Sequence, residues 1–349
     1  MDILDLSELP VEILVNIALH LTISEVISLG RLSRKIHRKV CDKPYFWKLL
    51  LNQENLDIAP DLIYKGGKFN WLLYFLFKKP NKNWDLYKLS ANPNITWEII
   101  QKYPDMKWNW NGLSRNPNIT WEIIISNPKK KWDWHGVSLN PNITPEIVSN
   151  HPNLPWSWYN LSFNSKTTQN FVQANLNKPW DWSGLSANPN ITWEFVQATS
   201  KETRPRIVRP LDHYPSYVWD WTEISRNSNI TWEIIQKYPN KPWSWTALSS
   251  NPNITWEIVQ ANPKKKWSWS ALSANPNITL EIVLTNPNQK WGWSALSRNP
   301  NITWEIVCAH PKIKWSWSDL AQNPNITWEI VYNNPNKNWS WHNLSDKTD

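Results

Sequence analysis

Asn92-Pro93-Asn94-Ile95-Thr96-Trp97-Glu98-Ile99-Ile100 is a phrase the chain repeats. Asn-Pro-Asn-Ile-Thr starts at Asn92, Asn116, Asn140, Asn188, Asn251, Asn275, Asn299 and Asn323, with variants at Asn227 (Asn-Ser-Asn-Ile-Thr) and Asn164 (Asn-Ser-Lys-Thr-Thr). Successive starts lie 24 residues apart, except that Asn188 to Asn227 is 39, which is 24 plus an insertion of 15. That makes ten repeats. An earlier half-unit, Trp84 to Leu86 and Leu89-Ser90, keeps the register. Self-similarity at this period marks a solenoid, in which a unit buries its apolar face only by stacking on its neighbours.

Each unit predicts two short helices. Thr96 is a good N-cap and recurs in all ten copies. Glu98 suits the positive end of the helix dipole, and Ile95 with Ile100 has the spacing of a hydrophobic staple. The helix must end near Tyr103-Pro104, because the residue before proline avoids the α region. A second helix is predicted after Asn109, Asp133, Ser157, Asp181, Asp220, Ser244, Ser268, Gly292, Ser316 and Ser340, all N-cap types. Trp108 and Leu113 form its staple, and Asn116-Pro117 ends it.

The 349 residues carry a net charge of +8, with 30 Trp, 27 Pro and only 7 Gly. Glycine is too scarce for nucleotide loops, and neither GxGxxG nor GxxxxGK[ST] occurs. Cys41 and Cys308 form no disulfide framework, and the seven histidines make no HExxH or Cys/His cluster. The expectation is a protein that is not an enzyme and uses no cofactor and no metal. The N-terminus lacks the basic start of a secretory signal, and the longest apolar run, Trp71 to Phe77, cannot span a bilayer. A cytoplasmic protein, not secreted and with no membrane partner, is therefore expected. In that compartment the repeated Asn-Ile-Thr sequon stays unglycosylated, and capping alone accounts for its Thr.

The tryptophans fall into two sets. Ten Trp-x-Trp pairs, from Trp108/Trp110 to Trp339/Trp341, are assigned to packing between repeats. Trp97, Trp121, Trp193, Trp232, Trp256, Trp304 and Trp328 sit at the edge of the first helix's apolar face, and Pro145, Gln169 and Leu280 replace them in sister copies. They are candidate target-binding residues, with edge packing as the alternative. Arg204, Arg206 and Arg209 in the insertion are further candidates, because solenoid insertions often fall on a binding face. Lys129–Lys131 and Lys264–Lys266 would line one edge and suit an acidic partner.

The unit Leu-Ser-x-Asn-Pro-Asn-Ile-Thr-Trp-Glu-Ile-Val-x-x-Asn-Pro resembles the leucine-rich repeat variant, also a 24-residue repeat, most closely at 140–148. The resemblance covers roughly Trp84 to Leu344 and implies a curved superhelix of alternating α and 3₁₀ helices. It implies no function, and the Trp-x-Trp pairs depart from it. Residues 1–50 differ. Leu9-Pro10-x-Glu12-Ile13-Leu14-x-x-Ile17-x-x-x-Leu21, then Val26, Leu29, Leu32-Ser33-Arg34 and Phe46-Trp47, resembles an F-box, and Phe69-Asn70-Trp71 with Tyr74 resembles the helix that often trails one. The resemblance implies docking on the Skp-type adaptor of a cullin–RING ubiquitin ligase through Leu9, Pro10, Ile13, Leu14, Ile17, Leu21, Val26 and Leu29.

The expected fold is all-α: an F-box three-helix unit at 1–50, a helical linker or cap at 51–83, and an α-helical solenoid of ten two-helix repeats at 84–349 with its insertion at 199–213. The expected function is the substrate receptor of such a ligase, with an unknown protein target on the solenoid. The whole looks like the F-box repeat proteins of giant DNA viruses of amoebae (mimivirus-type), which would place it in the host cytoplasm on host machinery. The alternatives are a nucleic-acid-binding or scaffold solenoid using its Trp and Lys edges, or a decoy that sequesters the adaptor.

Overall fold

The caps act as the sequence predicts. The Thr96 hydroxyl accepts the Ile99 N–H at 3.4 Å, and the Asn109 side chain accepts that of Gly112 at 3.0 Å. The resulting helices, such as Trp97–Lys102 and Trp110–Arg115, are six residues each. Helices this short have no stability of their own in water and exist because they are packed. This computed structural model describes Leu6, residues 9–202 and residues 219–348. Both elements of the repeat are α-helices, so the 3₁₀ alternative is not used.

Neighbouring units join through three recurrent contacts. Second helices pack directly on one another: a Cβ on Gly112 would lie 2.4 Å from the Tyr87 carbonyl oxygen. The Ser114 hydroxyl donates to the Trp110 carbonyl at 2.7 Å and accepts the Asp133 N–H of the next unit at 2.8 Å. Buried Asn116 donates through Nδ2 to the carbonyls of Ser90, Asn92 and Ile95, at 2.9, 2.9 and 3.0 Å. Asn140, Asn251, Asn275, Asn299 and Asn323 make the same three bonds one or more units on. A buried polar group is tolerable only when so satisfied. The asparagine is thus a rung of a ladder as well as a turn residue.

Indoles complete the seams. In nine of the ten pairs the first Trp donates to the carbonyl five residues before it, as Trp267 Nε1 does to Asn262 at 2.9 Å, while Trp219, after the insertion, donates to the Thr199 hydroxyl at 3.2 Å. The first Trp also meets the second Trp of the preceding unit edge-on: Trp245 and Trp267 lie 5.1 Å apart at 89°. Large side chains thus separate the units where the first helices stand, and Gly, Ser and Ala let the second helices touch. Each unit is a wedge.

The wedges add up to a closed ring rather than an open superhelix. Helix α6 (Trp71–Lys78) ends 24 residues before the first regular repeat's first helix ends at Lys102, and α7 (Leu86–Ala91) lies in register with the second helices. Together they form an eleventh unit that lacks the Asn-Pro-Asn-Ile-Thr phrase. The 22 helices from Trp71–Lys78 to Trp341–Leu344 make eleven pairs, or about 33° of turn each. The indole and serine contacts recur across the closure, with two of the three asparagine bonds. Trp84 meets Trp341 edge-on at 5.2 Å, the Asp85 N–H bonds the Ser345 hydroxyl at 2.9 Å, and Asn92 Nδ2 donates to the carbonyls of Ser345 and Lys347 at 3.0 and 2.8 Å. Lys347 stands at the next rung and donates through Nζ to the Asn323 carbonyl at 2.9 Å.

The N-terminal unit comprises α1 (Val11–Leu19), α2 (Ile23–Leu32), α3 (Arg34–Ile36), a π-turn at His37–Cys41, α4 (Pro44–Gln53) and α5 (Pro60–Ile63). A two-residue hairpin, β1 (Tyr64–Lys65) with β2 (Lys68–Phe69), leads into α6 and turns on Gly66 and Gly67, both at positive φ. Trp47 is the pivot: its ring stacks on Tyr64 at 4.8 Å, and its N–H bonds the Cys41 carbonyl at 2.7 Å. The unit straddles the ring closure. Ser24 Oγ donates to Glu329 at 2.5 Å on the last repeat, and the Ala59 N–H bonds the Tyr103 hydroxyl at 2.8 Å on the first.

Candidate functional site

Two surfaces concentrate the sequence candidates. On the N-terminal unit, Pro10 and Ile13 are exposed, Leu9, Ile17, Leu21 and Leu29 are half-buried, and Leu14 and Val26 are buried. Ile13 is 46% exposed and Leu32, beyond the predicted set, 84%; Leu6, Tyr45 and Leu49 are also exposed. Leu14 and Val26 are corrected accordingly: they belong to the unit's own core, because α1 turns one face onto the π-turn and α4, and α2 packs on the same π-turn. Lys39 Nζ holds the Leu9 carbonyl at 3.0 Å, which fixes the start of α1 and so the presentation of Pro10 and Ile13. The Arg31 ion pair to Glu329, at 3.3 Å, ties α2 to the ring.

The tryptophan ladder is mostly structural. Trp97, Trp121, Trp232, Trp256 and Trp304 are half-buried, each against the first indole of the next unit's pair; Trp97 to Trp132 is 5.9 Å and Trp304 to Trp339 is 6.3 Å. Trp193 and Trp328 are buried, so neither is free to hold a target. The edge-packing alternative describes all seven. Arg204, Arg206 and Arg209 lie outside the described residues, and helix Trp193–Glu202 runs into the start of the insertion.

The second surface is a rim of lysines. Lys130, Lys178, Lys241, Lys265 and Lys337 place their ammonium groups over Trp110, Trp158, Trp221, Trp245 and Trp317 at 4.9–5.9 Å. Lys82 over Trp341, at 6.0 Å, is the same contact at the closure. An ammonium over an indole face is weakly attractive and stays hydrated, so these charges are displayed in a fixed arc. Glu98, Glu122, Glu146, Glu233, Glu257 and Glu305 sit elsewhere, at the starts of the first helices. Bonds from the N-cap threonine hydroxyl, then from their own backbone N–H, hold the Glu146, Glu233, Glu257 and Glu305 carboxyls below the usual range.

Sequence reasoning missed Leu32, whose exposure depends on where α2 ends, and the seam of the ring, whose lining comes from residues more than 250 positions apart. Among the described residues no three His, Cys, Asp or Glu side chains converge to hold a metal. Cys41 is buried beside Gly30, and that burial pushes its thiol up to about 11, away from nucleophilic use. No described helix is long and apolar enough to cross a membrane. No family model, curated protein or solved structure matches the chain.

Proposed function

We propose that the chain is a substrate-receptor subunit of a cullin–RING ubiquitin ligase, with the N-terminal unit docking a Skp-type adaptor and the ring presenting a target protein. The observation that carries this reading is the exposure of the apolar residues Leu6, Pro10, Ile13 and Leu32 on an F-box-like unit. Nothing in the described chain covers these side chains, and exposed apolar residues of this kind suit a docking surface. The unit's contacts to both ends of the ring support a receptor role, since a target held at a fixed distance from the adaptor is positioned for transfer. The test is co-expression with a Skp-type adaptor. A stoichiometric complex that survives gel filtration is expected, and a folded chain that elutes alone overturns the reading.

The lysine rim supports a second reading, a polyanion-binding ring. It predicts polynucleotide binding that falls steeply with salt and is indifferent to Ile13.

A further inference from the structure

The lysine-over-indole slot changes character where the ring closes. Helix α6 ends in Lys78-Lys79, and the loop after it supplies Lys82. Facing them across the closure is Lys337, and between them opens a cavity of about 530 Å³ with Tyr332 and Trp341 among its walls. Lys78 is ion-paired to Glu54. Among the described residues Lys79, Lys82 and Lys337 have no carboxylate in ion-pair reach, although Lys82 and Lys337 lie over indoles. The cavity has the size of a small-molecule site. Ammonium groups recognise phosphate as point charges, and indole and phenol faces stack planar rings.

We propose that this seam cavity binds a nucleoside triphosphate, with Lys79, Lys82 and Lys337 on the phosphates and the base against Trp341 and Tyr332. Lys79 and Lys82 belong to the first unit of the ring, and Lys337 and Trp341 to the last. The bound ligand therefore bridges the closure, and by mass action it stabilises the closed form. The inference is independent of adaptor docking, which uses none of these residues.

The test is titration calorimetry and thermal unfolding of the full chain with ATP, inorganic tripolyphosphate and adenosine. Lys82→Glu and Lys337→Glu are compared with Lys265→Glu, which changes the same slot away from the seam. One ATP per chain is expected, with a raised Tm and tripolyphosphate weaker by roughly tenfold. Lys82→Glu or Lys337→Glu is expected to weaken ATP by roughly tenfold or more, as for loss of a charge-assisted contact, and Lys265→Glu to leave it unchanged. Each variant's unfolding without ligand shows that it is folded. No ATP binding, tripolyphosphate binding as tight as ATP, or an equal loss in Lys265→Glu would each overturn the proposal, the last assigning the effect to the rim as a whole.

Discussion

The indole of Trp341 meets that of Trp84 edge-on, 5.2 Å between centroids and 70° between planes, across 257 positions of sequence. The same pairing joins Trp317 to Trp339 at 5.2 Å inside the array. A repeat protein ordinarily leaves two end units with one unpartnered face each. Here each end partners the other.

Closure is directly measurable with a bridge across it. Asp85 and His342 already approach within 3.6 Å. Asp85→Cys with His342→Cys, in a chain freed of Cys41 and Cys308, should be joined within the monomer by a short thiol-reactive crosslinker that spans the length of the two replaced side chains. An open superhelix would hold these sites far apart and give no such product.

The tryptophan contacts predict equal sensitivity at the seam and inside. Trp84→Ala and Trp267→Ala should each cost about 3–5 kcal/mol in urea unfolding, the range for truncating a large packed aromatic. If the ring were open, the effect at Trp84 would fall to a fraction of that at Trp267.

The asparagine ladder makes a second comparison. Asn251→Ala removes the donor that serves the Ser225, Asn227 and Ile230 carbonyls, at 2.9, 3.0 and 3.4 Å. Leaving buried acceptors unbonded should cost about 2–4 kcal/mol. Conversely, Ala321 stands where other units have the bridging serine, so Ala321→Ser should restore a bond to Ser340 and add about 1 kcal/mol.

Lys347 supplies a pH signature. Burial lowers its pKa from 10.5 to about 8, because the ammonium is desolvated at a ladder rung. The folded value lies below the unfolded one, so the penalty is complete below about pH 8. Between there and 10.5 the unfolded chain binds more protons than the folded chain, and stability rises with pH. Lys347→Asn should remove that rise between pH 8 and 9.5 and stabilise the chain at pH 7, by up to about 3 kcal/mol. Unfolding curves that stay parallel for both proteins across this window would contradict the assignment.

Much of this was legible in the residues. The 24-residue period, the Thr and Asp/Ser/Asn caps, the staples and the role of the Trp-x-Trp pairs follow from local chemistry, and the structure has them. The eleventh unit was hidden because α6 lacks the repeated phrase; Phe75-Leu76 standing 24 residues before Ile99-Ile100 was its one trace. Closure itself is a sum of small rotations set by side-chain volume, and no single residue announces it. In the candidate docking surface, apolar pattern located α1 and α2 but could not say that Leu14 and Val26 turn inward while Ile13 and Leu32 turn out. The edge tryptophans posed the same problem, since aromatic residues at a boundary read alike whether they meet a partner or the next repeat.

The central functional claim is adaptor docking, and the most direct measurement is the affinity of the full chain for a purified Skp-type adaptor at low and high salt. Wild type is compared with Ile13→Asp and, as an exposed apolar control on the ring, Ile125→Asp. The account predicts a tight one-to-one complex, little changed by salt because its core is apolar, lost in Ile13→Asp and kept in Ile125→Asp. No binding, or binding that ignores Ile13 and disappears as salt rises, would contradict it.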